Sequence, residues 1–194
     1  MRVALLPGHA SKKEGASVCA GYYKDFGEYA LAYRYLPALR DILNTRTRIT
    51  AVITNRESAG GTSPSYSAKA ANATNADIAL EFHFNCDDDA GTGGCEVLYW
   101  GGSAKGKAFA EFLSDKIAKL LGVPDRGAKP ISKPDDRGFS AFQKSRMPFF
   151  MVEPCFAGSN PDEARRFGDL IKNGRWSSSL ASYISEGLVK VYEK

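Results

Sequence analysis

Residues 79–85, with the sequence ALEFHFN, constrain the fold of this chain most strongly. Apolar residues dominate positions 77–84, and an acidic, glycine-rich segment follows, which predicts a buried strand and then a loop. Side chains alternate along a strand, so Glu81, His83 and Asn85 should share one face, opposite Phe82 and Phe84. The chain should therefore contain a buried strand whose end carries polar side chains.

Both histidines of the chain follow apolar runs. His83 ends the run just described, and His9 follows residues 3–6 through a proline and a glycine. Open α/β sheets bind ligands at the carboxyl ends of their strands, so this placement indicates a shared site. The alternative is that two unrelated polar residues happen to end strands, and the spacing alone leaves it open.

Strand patterns alternate with helix patterns along the rest of the chain. Strands are expected at 2–6, 49–54, 77–84, 95–100 and 149–152, with a short one near 129–132. Helices are expected at 27–44 with a kink at Pro37, at 63–75 and 103–122, from 160 onwards, and at 178–192. This order predicts the α/β class: a single domain over residues 1–194, with a twisted, mostly parallel sheet of about six strands and helices on both faces.

Two glutamates fall at places where chemistry is plausible. Glu28 begins a helix on its apolar stripe, where it either favours the helix dipole or is held inward by a positive group. Glu153 ends the apolar run 149–152. The alternative role for Glu153 is an ion pair with Arg126, Arg137 or Arg146.

Two imidazoles and one carboxylate are a usual ligand set for catalytic zinc, with a fourth position left for water. His9, Glu28 and His83 are therefore candidate ligands of one catalytic Zn²⁺. A further carboxylate can take a proton from water and pass it to a leaving amine, and Glu153 is the candidate for that role. The sequence contains no GxSxG, P-loop or HExxH motif.

Charge and composition exclude several classes of partner. The net charge of +4 is scattered, without basic and aromatic residues interleaved, so no nucleic-acid partner is expected. No apolar run approaches 18 residues, so no membrane span is expected. The N-terminal apolar run is too short for a signal peptide, which predicts synthesis in the cytoplasm.

The four cysteines form no CxxC pair and are expected to be reduced and mostly packed, rather than to form a thiolate metal site. Three consecutive aspartates at 87–89 lack the alternation of a calcium loop and predict a solvated turn.

Several short blocks, each weak alone, occur in one order along nearly the whole chain. They are LLPGH at 5–9, Glu28 at the head of a helix, Arg56 followed by ANATNAD at 71–77, EFHFN at 81–85, GCEVLY at 94–99, and Pro148 followed by VEPCF at 152–156 and Asn160. In this order they resemble the zinc-dependent N-acetylmuramoyl-L-alanine amidases of the type-3 amidase family, which includes bacterial autolysins and phage endolysins.

The resemblance implies that His9, Glu28 and His83 bind zinc and that Glu153 is the catalytic carboxylate. It implies hydrolysis, in peptidoglycan, of the amide between the lactyl group of N-acetylmuramic acid and L-alanine. Glu81 stands where the family usually has a small residue, and is expected either to support a histidine ligand or to alter the metal site. Asn85 is expected to be a hydrogen-bonding support residue.

Two thiols, Cys86 and Cys155, are expected near the metal. Residues 129–143 are expected to contact the substrate.

The sequence shows neither a signal peptide nor a separate wall-binding domain. We therefore expect a phage or prophage endolysin, which acts on the wall after holin-dependent release. The excised catalytic domain of a longer lysin would look the same. The alternatives are a zinc peptidase or deacetylase of the same architecture and a peptidoglycan-binding module without catalysis. The oligomeric state, the stem-peptide type and the host stay open.

Overall fold

The computed structural model describes residues 1–193. Within them one sheet of six strands has the order β2-β1-β3-β6-β4-β5. The strands are β1 (Arg2–Pro7), β2 (Thr50–Ile53), β3 (Ile78–Phe82), β4 (Cys95–Trp100), β5 (Asp125–Ile131) and β6 (Phe149–Glu153). The α-helices are α1 (Glu28–Ala32), α2 (Leu36–Arg46), α3 (Pro64–Ala73), α4 (Ala104–Leu121), α5 (Phe139–Lys144), α6 (Pro161–Lys172) and α7 (Arg175–Tyr192), and a 3₁₀ turn covers Glu57–Ala59.

The sheet is mostly parallel, as the sequence predicts. Four of its five strand pairs are parallel, and only β4 and β6 run antiparallel. Strands β1, β3 and β6 are adjacent and parallel, so their carboxyl ends meet at one edge of the sheet. That edge is where an open α/β sheet places its ligands.

Helices cover both faces of the sheet, also as predicted, but the two cores differ in size. The larger core lies under α2, α4, α6 and α7 and contains aromatic side chains such as Phe109, Phe167 and Trp176. The smaller core lies under α3 and α5 and is rich in alanine, including Ala70 and Ala71 of α3. The side chain of Ser67, also on α3, reaches Glu81 of β3 near the carboxyl edge.

The expected helix at 27–44 is two helices, so the prediction of a single kinked helix is wrong. α1 ends at Ala32 and α2 begins at Leu36, which puts Pro37 in the first turn of α2. In a continuous helix the Pro37 ring would clash with the carbonyl of Tyr33, four residues earlier. Proline is tolerated in a first helical turn, so the chain breaks before it and starts again.

The starts of two other elements, and the presence of one helix, also differ from the sequence prediction. β5 begins at Asp125, four residues before the expected 129, and α7 begins at Arg175 rather than 178. α5 has no counterpart among the helices expected from the sequence. β5 is an edge strand that pairs only with β4, so its Pro130 is tolerated although proline argues against a strand.

Side chains cap the first turns of α4 and α6. Ser103 Oγ accepts from the Gly106 amide, and Asn160 Oδ1 accepts from the amides of Asp162 and Glu163. Among the residues that the structure describes, no helix has the length and apolar character needed to cross a bilayer.

Candidate metal centre and catalytic carboxylate

The four residues singled out by the sequence meet at the carboxyl edge of the sheet. His9 lies two residues beyond β1, His83 directly follows β3, and Glu153 is the last residue of β6. Glu28 is the first residue of α1 and reaches the same edge. All four line one cavity of about 240 Å³.

His9, Glu28 and His83 form a compact triad. Each offers a ligand atom, and these atoms all lie within 4.8 Å of one another. Glu28 bridges the rings: its Oε1 lies 3.2 Å from His9 Nε2, and its Oε2 lies 2.8 Å from His83 Nδ1. Two imidazole nitrogens and a carboxylate oxygen at such spacing fit the ligand preferences of zinc.

The backbone around the triad leaves little room for other side chains. A Cβ atom on Gly8 would lie 2.5 Å from His83 Nδ1. A Cβ atom on Gly15 would lie 2.5 Å from His9 Cδ2 and 2.6 Å from Glu28 Oε1. His9 itself has a φ of 62°, an uncommon left-handed conformation that sets the direction of its side chain. The glycines in these two positions are therefore required for the triad to close.

Hydrogen bonds within the triad shift the pKa values of Glu28 and His83. Burial alone would raise the pKa of Glu28, but hydrogen bonds to His83 and His9 outweigh it and lower that pKa. Burial alone would lower the pKa of His83, but the hydrogen bond to Glu28 and the negative charge of nearby Glu81 raise it to about 10. A cation bound to these atoms would therefore displace a proton from the triad.

Glu81 is fully buried and lies behind His83. Its Oε1 accepts from Arg56 Nη2 at 2.9 Å, from Arg56 Nε at 3.1 Å, and from the hydroxyl of Ser67. Its Oε2 lies 3.5 Å from His83 Nε2, the ring nitrogen that does not face Glu28. Burial alone would raise the pKa of Glu81, but the Arg56 charge and its other partners lower it to about 2.

Glu153 is equally buried but has few partners. Its Oε1 lies 3.5 Å from Arg137 Nη1, and its Oε2 has no hydrogen-bond partner within residues 1–193. Burial raises the pKa of Glu153 to about 7; Glu28 and Glu96 add to the rise, and His83 and Arg137 oppose it. A carboxyl group with a pKa near neutrality can both accept and return a proton.

Arg137 forms an ion pair with Glu153 at 3.5 Å, as the alternative role for Glu153 expects, but its hydrogen bonds go to other residues. It donates instead to Asn85 Oδ1 at 2.5 Å and to Glu96 Oε1 at 2.6 Å. Asn85 Nδ2 also donates to Glu96, and Arg126 Nε donates to its other oxygen. Asn85 thus lies in a hydrogen-bonded cluster beside Glu153.

Sequence reasoning did not single out Glu96 or Ser67, and it treated Arg137 only as a possible partner of Glu153. A signal existed for Glu96, a charged residue inside an apolar strand, and the structure places it directly opposite Glu153 in the β4–β6 register. Arg137 comes from the segment 129–143 that was expected to contact substrate, and it lines the cavity. No comparable signal marks Ser67, which lies among the small residues of α3.

The cysteines are free and, as expected, most of them are at least partly packed. Cys95 and Cys155 are buried, Cys19 is half-buried and Cys86 is exposed. Cys86 lines the cavity of the triad, whereas Cys155 is not among its lining residues. Burial raises the pKa of the Cys155 thiol well above its usual value, so this group stays protonated.

The family model and the similar proteins of known sequence point to the same family. The family model described as N-acetylmuramoyl-L-alanine amidase matches residues 3–190. N-acetylmuramoyl-L-alanine amidase CwlM of Bacillus licheniformis is 24% identical over 192 residues, which are 99% of this chain and 69% of that protein. The amidase LytC of Bacillus subtilis (strain 168) is 31% identical over 126 residues, which are 64% of this chain but only 23% of LytC.

One solved structure has a similar fold over the whole length of this chain. The N-acetylmuramoyl-L-alanine amidase from Clostridium difficile 630 superimposes with a TM-score of 0.74 at 22% identity, covering 100% of this chain and 97% of that one. The α/β fold described above is therefore also the fold of that amidase.

Proposed function

Because this chain belongs to the N-acetylmuramoyl-L-alanine amidase family, we propose that it hydrolyses the amide between N-acetylmuramic acid and L-alanine in peptidoglycan. The observation that carries the proposal is the His9–Glu28–His83 triad, which shares one cavity with a buried glutamate. The pKa of that glutamate, Glu153, is raised to about 7. The family is generally zinc-dependent, and the triad offers the donor atoms that zinc prefers.

In this proposal His9, Glu28 and His83 would hold one zinc ion. When bound, zinc supplies Lewis-acid chemistry, in that it polarises a carbonyl group and makes water more acidic. Glu28 holds both rings by its two oxygens, and the Ala16 amide donates to Glu28 Oε1 at 3.0 Å. The carboxylate is therefore fixed before any ligand arrives, which lowers the cost of ordering the site.

Glu153 would move the proton. Its ionised form accepts a proton from water as the water attacks the amide carbonyl, and its neutral form then donates that proton to the leaving nitrogen of L-alanine. The Oε2 atom suits this role because no protein group within residues 1–193 occupies it. Arg137, 3.5 Å from Oε1, steadies the ionised form without a close ion pair that would make it a weak base.

A digest of purified peptidoglycan, with and without chelator, tests the proposal. We expect new N-terminal L-alanine without new reducing sugar ends, lost on chelation and restored by added zinc. New amino groups from other stem residues would replace the proposal with a zinc peptidase. If the protein bound stoichiometric zinc but released nothing from several wall types, it would be a binding module instead.

An endolysin-type lytic role stays a prediction of the sequence. Purified protein added to cells with permeabilised envelopes should lower their turbidity, and a Glu153→Gln protein should not. Equal clearing by both proteins would contradict a lytic role for this active site.

A further inference from the structure

A second cavity of about 540 Å³ lies next to the active site and has no role in the reaction just described. Its lining includes Lys69 and Ala73 of α3, and Lys144 and Arg146 at the end of α5 and just beyond. We call it the basic groove. All three of its cationic side chains are exposed, and no carboxylate is among the lining residues. Among the ion pairs of residues 1–193, none involves these three cations.

Two hydrogen bonds hold the walls of the basic groove together. Asn72 Nδ2 of α3 donates to the Lys144 carbonyl at 3.0 Å, and Asn72 Oδ1 accepts from the Arg146 amide at 2.9 Å. The backbone that carries Lys144 and Arg146 is therefore fixed against α3. On the α3 wall, Lys69 Nζ lies 5.5 Å from the centre of the Tyr66 ring, within cation–π range.

Two helices lead from the active-site cavity to the basic groove. α3 begins at Pro64, which lines the active-site cavity, and its later residues Tyr66 and Lys69 line the groove. α5 follows Gly138, which lines the active-site cavity, and ends at Lys144 in the groove. At 1.5 Å per residue α3 spans about 14 Å, which is the reach of about four residues of extended peptide.

We propose that the basic groove binds anionic groups of the polymeric wall substrate, namely free carboxylates on stem peptides some distance from the scissile amide. This inference rests on the proposed function, because it takes the substrate to be the wall polymer. Stem peptides carry free carboxylates at intervals, and three unpaired cations along a fixed groove complement such charges. The groove would hold a long substrate while the active site acts on one amide, so it would favour polymer over small fragments.

Charge reversal separates polymer binding from catalysis. The groove variant is Lys144→Glu/Arg146→Glu. The control variant, Lys105→Glu/Lys190→Glu, reverses the same number of charges in a different surface cavity. The lining of that cavity also includes the carboxylates of Glu111 and Asp115. Binding is measured by co-sedimentation with peptidoglycan, with Glu153→Gln added so that the polymer stays intact. Turnover of a muramoyl dipeptide, too short to reach the groove, is measured with Glu153 present.

The groove variant should bind peptidoglycan roughly tenfold more weakly at low salt, with a smaller difference at high salt. Its turnover of the muramoyl dipeptide should match that of the unmodified protein, and the control variant should change neither quantity. Lys69→Glu alone should weaken binding in the same direction by a smaller factor. The same binding comparison is made with native walls and with peptidoglycan stripped of phosphate polymers. If the groove variant binds both more weakly, the groove binds carboxylates. If it binds only native walls more weakly, the groove binds phosphate, and the carboxylate proposal is overturned.

Equal binding by the groove variant and its control would overturn the inference. Failure of the proposed function gives a different result, because the unmodified protein would then release no N-terminal L-alanine from peptidoglycan. The binding comparison uses catalytically disabled protein, so it stays informative in either case.

Discussion

Glu81 and Glu153 lie on neighbouring strands and are both almost inaccessible to solvent, with exposed fractions of 0% and 3%. Their acidities nevertheless move in opposite directions. The pKa of Glu81 is lowered to about 2, and that of Glu153 is raised to about 7. Burial raises the pKa of both groups, so it does not explain the difference.

The partners of each carboxylate explain it. Three donor atoms from Arg56 and Ser67 converge on one oxygen of Glu81. Within residues 1–193, the one ion pair of Glu153 is with the Arg137 guanidinium at 3.5 Å, which is already bonded to Asn85 and Glu96. The same residue type at the same sheet edge is thus held ionised in one case, and in the other its pKa is near neutrality, as the proposed proton carrier requires.

The largest effect expected from this contrast follows Glu153→Gln. Loss of the proton carrier should lower turnover of peptidoglycan by roughly 10³-fold, within the range for general acid–base catalysis. Zinc content and fold should not change, because Glu153 is not a member of the triad. Both expectations are checked by measuring peptidoglycan turnover and, on the same samples, zinc content by atomic absorption. A loss of zinc in the variant would contradict the separate roles of Glu153 and the triad.

The same substitution should stabilise the metal-free protein in a pH-dependent way. Because the folded state raises the Glu153 pKa from its usual 4.5 to about 7, the folded state loses stability as pH rises through that window. Glutamine does not ionise, so Glu153→Gln should show no advantage near pH 4 and one approaching 3 kcal/mol at pH 8. Urea denaturation at several pH values measures the free energy of unfolding of both proteins. In the difference between them, the contributions of groups that the substitution does not affect cancel.

A constant difference between the two proteins from pH 4 to pH 8 would show that Glu153 titrates normally. The contrast with Glu81 would then be lost, and the proton-carrier role would need another residue.

The sequence predicts the sheet edge well because that edge depends on local patterns. Apolar runs that end in His9, His83 and Glu153 mark three parallel strands, and parallel strands in one sheet bring their carboxyl ends together. The break between α1 and α2 depends on a local feature too, since Pro37 is visible in the sequence. Whether a proline kinks a helix or starts a new one depends on packing, which the sequence pattern does not show.

The contrast between the two glutamates could not be predicted in this way. Arg56 and Glu81 are 25 residues apart, and Arg137 and Asn85 are 52 residues apart. Which arginine reaches which carboxylate depends on loops and on α5, and α5 was not predicted. Sequence reasoning placed both glutamates near the site but gave no direction for either pKa shift.

The smallest effect concerns Glu81 and His83, the proposed metal ligand beside it. The Oε2 atom of Glu81 lies 3.5 Å from His83 Nε2, on the side of the ring away from Glu28, where a negative charge can act on the ring electrostatically. Glu81→Gln removes the charge but keeps the shape, so zinc should bind about 10-fold to 100-fold more weakly. Competition with a chromogenic chelator measures the affinity.

Glu96→Gln is the matched control, because Glu96 is also a buried glutamate at this edge of the sheet, and its hydrogen bonds go to Arg126, Arg137 and Asn85 rather than to a histidine. An equal loss of zinc affinity in both variants would mean that negative charge near the site matters and that the contact with His83 does not. A loss confined to Glu81→Gln would mean that the fixed charge of Glu81 acts through the ring of His83. In that case Arg56 has two consequences: it keeps Glu81 ionised, and it thereby helps set the metal affinity of a histidine that it does not touch.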